Sequence, residues 1–130
     1  MKFLFASDSF KGSLSSQKTA ELLSQAALEI FPDCECSHVE VADGGEGTTD
    51  AVLSAVSGKK IFLSAHGPLG ELTDGYYGAL DDKRAVMEMA AVPGLPLVPA
   101  SLRDPRKTSS LGTGEMIADA LSRGFRDISI

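Results

Sequence analysis

Cysteine is scarce in this chain: only Cys34 and Cys36 occur, one residue apart. Side chains at i and i+2 of a strand share a face, but so short a loop strains an ordinary disulfide, and the pair reads as reduced and structural. Histidine is equally rare. His38 falls on an expected strand and His66 in an expected turn, and two lone histidines with one Cys-x-Cys do not make a zinc site. No run of about eighteen apolar residues occurs, and no basic leader precedes an apolar stretch with a cleavage signal; the sequence predicts a cytoplasmic protein with no membrane partner. Positive charge is thin. There are 12 Lys and Arg against 18 Asp and Glu, a formal net charge of -6, and the longest basic grouping is Arg103, Arg106 and Lys107. A nucleic-acid partner needs a denser field. Two nucleotide signatures are also missing. Gly-x-x-x-x-Gly-Lys-Ser/Thr occurs nowhere, and the first strand lacks Gly-x-Gly-x-x-Gly, which disfavours a P-loop nucleotidase and a dinucleotide site in its usual place.

What is present suits a folded α/β chain. At 130 residues, 43% hydrophobic and 23% charged, it is long enough to bury a core and fits neither a disordered segment nor a compositional repeat. Residues 2–6 form an apolar run ending at Ser7-Asp8-Ser9, the profile of a strand buried on both faces. Leu22, Leu23, Ala26, Ala27 and Ile30 recur at helical spacing over residues 15–30, with Ser13 or Ser15 to cap the helix and Pro32 to stop it. A second strand over 37–42 alternates Val39 and Val41 with His38 and Glu40. A helix striped by Ala51, Val52, Ala55 and Val56 follows, with Gly58 placed to close it in the left-handed conformation.

Beyond residue 60 the pattern becomes antiparallel. Strands are expected over 60–65, 72–80 and 85–90, joined by turns at 66–70 and 81–83. Met87 and Met89 read as strand core, with Glu88 on the other face, toward solvent or a cleft, a weak candidate for hydroxyl binding. Three prolines keep residues 92–99 out of a helix, and Gly112-Thr113-Gly114 leads into a last helix closed by Gly124 before a strand start at Ile128-Ser129-Ile130. The expected fold is therefore α/β. Residues 1–60 read as an open sheet of parallel strand–helix units, flavodoxin- or Rossmann-like; residues 61–130 read as an antiparallel excursion and the start of a second α/β domain, incomplete at its carboxyl end. A strand cut at its start leaves backbone groups and an apolar edge without partners. Further chain is expected beyond Ile130, and the isolated piece is expected to fold poorly.

Three polar constellations carry candidate chemistry. In Asp43-Gly44-Gly45-Glu46-Gly47, between a strand and a helix, the glycines let the backbone approach a ligand and the helix start welcomes an anion. Asp43 and Glu46 suit Mg²⁺ beside phosphate, or an alcohol to be oriented; the plainer alternative is a tight turn with Glu46 complementing the helix dipole. Asp8-Ser9-Phe10-Lys11 follows the first strand. Ligands of open α/β sheets sit beyond the carboxyl ends of strands, so Asp8 and Asp43 converge if their strands are parallel neighbours. A carboxylate there can accept the proton of an attacking hydroxyl and Lys11 can offset phosphoryl charge, unless Asp8 and Ser9 merely cap a turn and Lys11 reaches solvent. Ser109, Ser110, Gly112, Thr113 and Gly114 form a donor-rich nest for a phosphate or a small-acid carboxylate, although helix capping alone explains Thr113. Arg103 and Arg106 offer a fork to either anion or are solvated surface.

Four linked stretches, Phe5 to Ser15, Ala42 to Thr48, Glu88-Met89-Ala90-Ala91 and Thr108 to Glu115, resemble the glycerate kinases of the bacterial glycerate and glucarate utilisation type, over essentially all 130 residues. The resemblance implies ATP-dependent transfer of the γ-phosphoryl group to D-glycerate, in this branch usually at the 2-hydroxyl to give 2-phosphoglycerate and ADP, with Mg²⁺ arriving on the nucleotide. It also implies two α/β domains about a cleft, one inserted within the other, in a chain of several hundred residues. That chain continues past the equivalent of Ile130 with a glycine-rich Gly-Ser segment. A missing carboxyl-terminal segment is thus an expected partner, and the 130 residues alone are expected to be inactive. Carried over by position, Asp8 or Asp43 orients or deprotonates the glycerate hydroxyl and Lys11 clamps charge. Ser9, Gly44, Gly45 and Glu46 line the substrate, and Ser109, Ser110, Gly112, Thr113 and Gly114 hold its carboxylate or a phosphate. The rival readings are a phosphatase- or phosphomutase-like hydrolase with Asp8 as nucleophile, and a non-catalytic small-acid binding domain.

Overall fold

The computed structural model describes residues 1–10 and 13–130; Lys11 and Gly12 lie outside the described residues. The chain divides into two compact units, Met1–Asp43 and Gly44–Ile130. In the first, β1 (Lys2–Phe5), α1 (Ser16–Ile30) and β2 (Glu35–His38) make a strand–helix–strand unit whose strands are parallel, with Phe5 opposite His38. α1 starts where the Ser15 hydroxyl accepts the Lys18 amide at 3.1 Å and ends at Phe31, just before Pro32, as the sequence predicts.

The expectation that β1 is buried on both faces does not hold in this unit. Phe3 and Phe5 are half-buried and Phe3 lies 5.7 Å from the Phe31 ring, whereas Leu4, on the opposite face, is 66% exposed. Strand side chains alternate, and one helix covers one face of a two-stranded sheet. The same shortage of cover leaves Leu22, Leu23 and Ile30 exposed, and Thr19 and Ala20 are the buried residues of α1. β2 also lies earlier than the alternation of Val39 and Val41 suggests. The Glu35 amide donates to the Met1 carbonyl and the Val39 amide to the Phe5 carbonyl, both at 2.9 Å, so the ladder has ended before Val41.

The second unit runs α2 (Thr48–Ala55), β3 (Lys59–His66), β4 (Leu72–Ala79), β5 (Arg84–Val86), three 3₁₀ turns at Met89–Ala91, Leu95–Leu97 and Ala100–Leu102, α3 (Leu111–Ser122) and β6 (Asp127–Ser129). Its sheet has the order β3-β4-β5-β6. The first two pairings are antiparallel and β5–β6 is parallel, so β3, β5 and β6 point the same way; their amino ends are level, and β3 runs on past the ends of β5 and β6 to His66. The expected antiparallel excursion is present, and the expected strand at Ile128 is paired along β5 rather than left without a partner. No helix among the described residues is long and apolar enough to cross a membrane.

Adjacent tyrosines show how the sheet holds a helix on each face. The Tyr77 ring is wholly buried, meets Phe125 edge-on at 6.0 Å, and its hydroxyl donates to Asp119 of α3 at 2.9 Å. Tyr76 points the other way, donating to Asp50 of α2 at 2.9 Å, where Lys60 also binds at 2.8 Å with its ammonium 4.0 Å from the Tyr76 ring centre. Met87, Val92, Met116 and Ala120 complete the core around Tyr77. Burial, then the Asp119 carboxylate, pushes the Tyr77 phenol up to about 12. An unfolded phenol ionises near about 10. The stability contributed by neutral Tyr77 is therefore complete below about pH 10 and is lost as the pH rises through about 12. Tyr77→Phe is expected to cost about 1 kcal/mol at neutral pH, through the lost hydrogen bond. It should also flatten the alkaline fall in stability, which urea unfolding of both proteins across this range checks.

Two further expectations are corrected. β5 stops at Val86, and only Met87 is core; Met89 sits in the first 3₁₀ turn, 52% exposed, because the chain leaves the sheet once Glu88 turns toward α2. Gly58 is not left-handed: it is glycine because a Cβ there would lie 2.7 Å from the Ala79 carbonyl oxygen. Gly124 does close α3 with a φ of 100°.

Candidate functional site

In the first unit the parallel pairing puts the carboxyl ends of β1 and β2 on one edge, and the acidic turn at Asp8 and the segment leading to Asp43 follow from them. The half-buried Asp8 accepts the Ser9 amide on Oδ1 at 2.7 Å, and the Ser7 carbonyl accepts the Ser16 hydroxyl at 2.6 Å, which ties the turn to the start of α1. Among the described residues Asp8 Oδ2 has no hydrogen-bond partner. Asp43 is exposed. Lys11 lies outside the described residues.

The second unit opens with the glycine turn. Gly44 and Gly47 have φ of 98° and 90°, the left-handed region, and a Cβ at either would meet nothing within 4 Å. The helix start behind this open backbone is already supplied with an anion. Glu88 is only 5% exposed; its Oε1 accepts the Gly47 amide at 3.1 Å and its Oε2 the Thr49 amide at 2.8 Å. Glu88 therefore points neither to solvent nor to a substrate hydroxyl. It satisfies two free donors of α2 and sits at the positive end of its dipole. An acid inside the apolar run 85–92 was the available signal, since a buried carboxylate must find donors. Gly45 is half-buried in this turn and Glu46 exposed.

The segment 109–114 is not a nest ahead of a helix. α3 begins at Leu111, so Gly112, Thr113 and Gly114 belong to its first turns. The Ser109 hydroxyl accepts the Leu111 amide at 3.1 Å, the Ser110 carbonyl accepts the Thr113 amide at 3.0 Å, and the Ser109 amide donates to the Pro68 carbonyl at 2.9 Å. Ser109, Ser110 and Gly114 are exposed and Thr113 is half-buried. Gly112 is buried because a Cβ there would run into the His66 carbonyl and lie 2.9 Å from Val92 Cγ1. Gly112→Ala is expected to push α3 off β3 at a cost of about 2 kcal/mol, measured by urea unfolding.

Below that contact, Glu115 grips His66 twice. Oε2 accepts the His66 backbone amide and Oε1 lies against the ring Nδ1, both at 2.7 Å. The backbone bond, then the ring bond, holds the Glu115 carboxyl below its usual range. β5 ends at Val86, level through Gly78 with Lys60, so His66 lies six residues farther along β3 than the end of β5. Sequence reasoning left His66 in a turn and gave Glu115 no role.

The other candidates are engaged locally. Arg106 binds Asp104 through Nε and Nη2, each at 3.0 Å, and Arg103 donates to the Val98 carbonyl at 3.2 Å, so the two form no joint fork. At the amino ends of β3, β5 and β6 lie clefts of about 600 and 500 Å³ that share Asp81 and Asp82. There the Lys83 amide and then the Arg84 guanidinium hold Asp81 down to about 2, so this acid is already paired within the chain. Among the described residues no three His, Cys, Asp or Glu side chains come together as a metal set. Asp43, which closes the first unit, and Glu46, in the second, are both exposed.

Residues 3–130 match the sequence model of the glycerate kinase family. The chain is 47% identical to the Glycerate 2-kinase of Escherichia coli (strain K12) and 44% identical to the Glycerate kinase of Bacillus subtilis (strain 168), in each case over 100% of this chain and 34% of the relative. A crystal structure from Salmonella typhimurium LT2, designated glycerate kinase 2, superposes with a TM-score of 0.70 at 43% identity, covering 98% of this chain and 35% of that one. The chain spans about a third of the length of the relatives it matches.

Proposed function

This chain belongs to the glycerate kinase family, and we propose that it supplies part of the machinery for ATP-dependent phosphorylation of D-glycerate. The observation that supports this most is the parallel pairing of β1 with β2, which sends the acidic turn at Asp8 and the segment leading to Asp43 from one edge of a sheet, where ligands of such sheets bind. In this proposal Asp8 is the base. Its Oδ1 is oriented by the Ser9 amide, and its other oxygen accepts the proton of the glycerate hydroxyl as the hydroxyl oxygen of glycerate bonds to the γ-phosphorus and the bond from phosphorus to the bridging oxygen, which leaves on ADP, breaks. Asp43 and Glu46 hold Mg²⁺, which when bound neutralises phosphoryl oxygens. Lys11 offsets charge on the same group. Ser9, Gly44 and Gly45 line the hydroxy acid, and Ser109, Ser110, Gly112, Thr113 and Gly114 form the seat for its carboxylate. Transfer goes to the 2-hydroxyl, in the cytoplasm.

The test is ADP release with D-glycerate and Mg²⁺-ATP, using this chain alone and joined to the remaining residues of the Escherichia coli relative, with phosphorus NMR of the product. Glycerate-dependent ADP release and a 2-phosphoglycerate signal from the joined protein, with the 130 residues alone inactive, are the expected results. Phosphate release without nucleotide through a phosphoaspartyl Asp8 would replace the kinase reading with a hydrolase. Glycerate binding without ADP release would replace it with a binding domain.

A further inference from the structure

We propose that His66, oriented by Glu115, is a further substrate-contacting residue whose Nε2 donates to an oxyanion of the hydroxy acid; the inference rests on the kinase reading and deepens it. One carboxylate takes both the His66 amide and the ring Nδ1 at 2.7 Å, which fixes the plane of the imidazole and commits Nδ1 to Glu115. The opposite ring nitrogen is left as the working atom. Among the described residues Nε2 has no partner, and the side chain is 40% exposed. The acid on the ring is Glu115 from α3; the Glu71 carboxylate lies next to Gly67, the residue that follows His66. With the Nδ1 proton given to Glu115, Nε2 donates when the ring carries its second proton.

Placement within the unit argues the same way. His66 ends β3, and its carbonyl lies against Gly112 at the start of α3, in the segment proposed to seat the carboxylate. For an oxyanion seated at that segment, His66 supplies a fixed and accessible ring nitrogen. A latch that only joined β3 to α3 would need the backbone bond to Glu115 but not an oriented, exposed ring.

The experiment is nitrogen-15 NMR of this chain joined to the remaining residues of the Escherichia coli relative, following the His66 ring and the backbone amides while D-glycerate or, separately, inorganic phosphate is added. The expected result is a shift at His66 Nε2. Glycerate alone producing it identifies the carboxylate as the oxyanion; phosphate producing it as well identifies a shared oxyanion seat. His66→Gln and Glu115→Gln should each weaken glycerate binding about tenfold, while the amide spectrum of His66→Gln stays otherwise unchanged. Shifts confined to residues 109–114 with the ring silent would overturn this inference and spare the kinase reading. No glycerate-induced shift anywhere would overturn both.

Discussion

Glu88→Ala is expected to destabilise the second unit by about 3 kcal/mol. Its carboxylate bridges the end of β5 to the start of α2 with two charge-assisted bonds, and Thr49, one of the donors' residues, is wholly buried. Truncation leaves that amide without water or acceptor, which is the expensive half of losing a hydrogen bond, while the Gly47 amide is on an exposed residue and can be rehydrated. Removing the charge also removes its attraction to the helix dipole. Glu88→Gln keeps one acceptor, and about half the loss is expected. Urea unfolding measures the two variants, and hydrogen exchange at the Thr49 amide reports the local change, which should exceed that at Gly47. A Glu88→Ala protein within about 0.5 kcal/mol of the parent would mean that the buried carboxylate costs as much as it contributes.

The elements that were legible in the sequence are those with local causes. Ser15 and Pro32 mark α1 because a cap and a missing donor act within a turn of the helix, and Gly124 marks the end of α3 through its own φ. The parallel strand–helix–strand unit followed from an apolar run, a helix and a polar turn in order. What was not legible depends on distant partners. Glu88 meets its amides across 41 and 39 residues, and Glu115 meets His66 across 49, separations that no periodicity encodes. The start of α3 was misplaced for a related reason. Gly112 and Gly114 are poor helix formers and read as a loop, but the close approach of Gly112 to β3 decides the matter in favour of a helix. Leu22 and Leu23 formed a convincing apolar stripe, yet burial depends on what the rest of the fold can lay against it. The candidate site divides likewise. The Asp8 and Asp43 turns and the glycines stand out as motifs, whereas the residues that hold the glycine turn and orient His66 emerge only from packing.

Asp8→Asn and Asp43→Asn are expected to fail differently in the joined kinase. If Asp8 takes the hydroxyl proton, the amide cannot, and kcat should fall by about a hundredfold to ten-thousandfold with the KM for ATP nearly unchanged. The asparagine still offers an oxygen to the Ser9 amide, so the turn is retained and the loss belongs to the proton transfer. Asp43, proposed to act through the cation, should give a smaller fall, about tenfold, that raised Mg²⁺ partly restores. Initial rates at several Mg²⁺ concentrations separate the two. Restoration of Asp8→Asn by Mg²⁺, with Asp43→Asn insensitive to it, would exchange the roles. Normal turnover by Asp8→Asn would remove this carboxylate from the chemistry, leaving the Ser9 amide bond as ordinary turn capping.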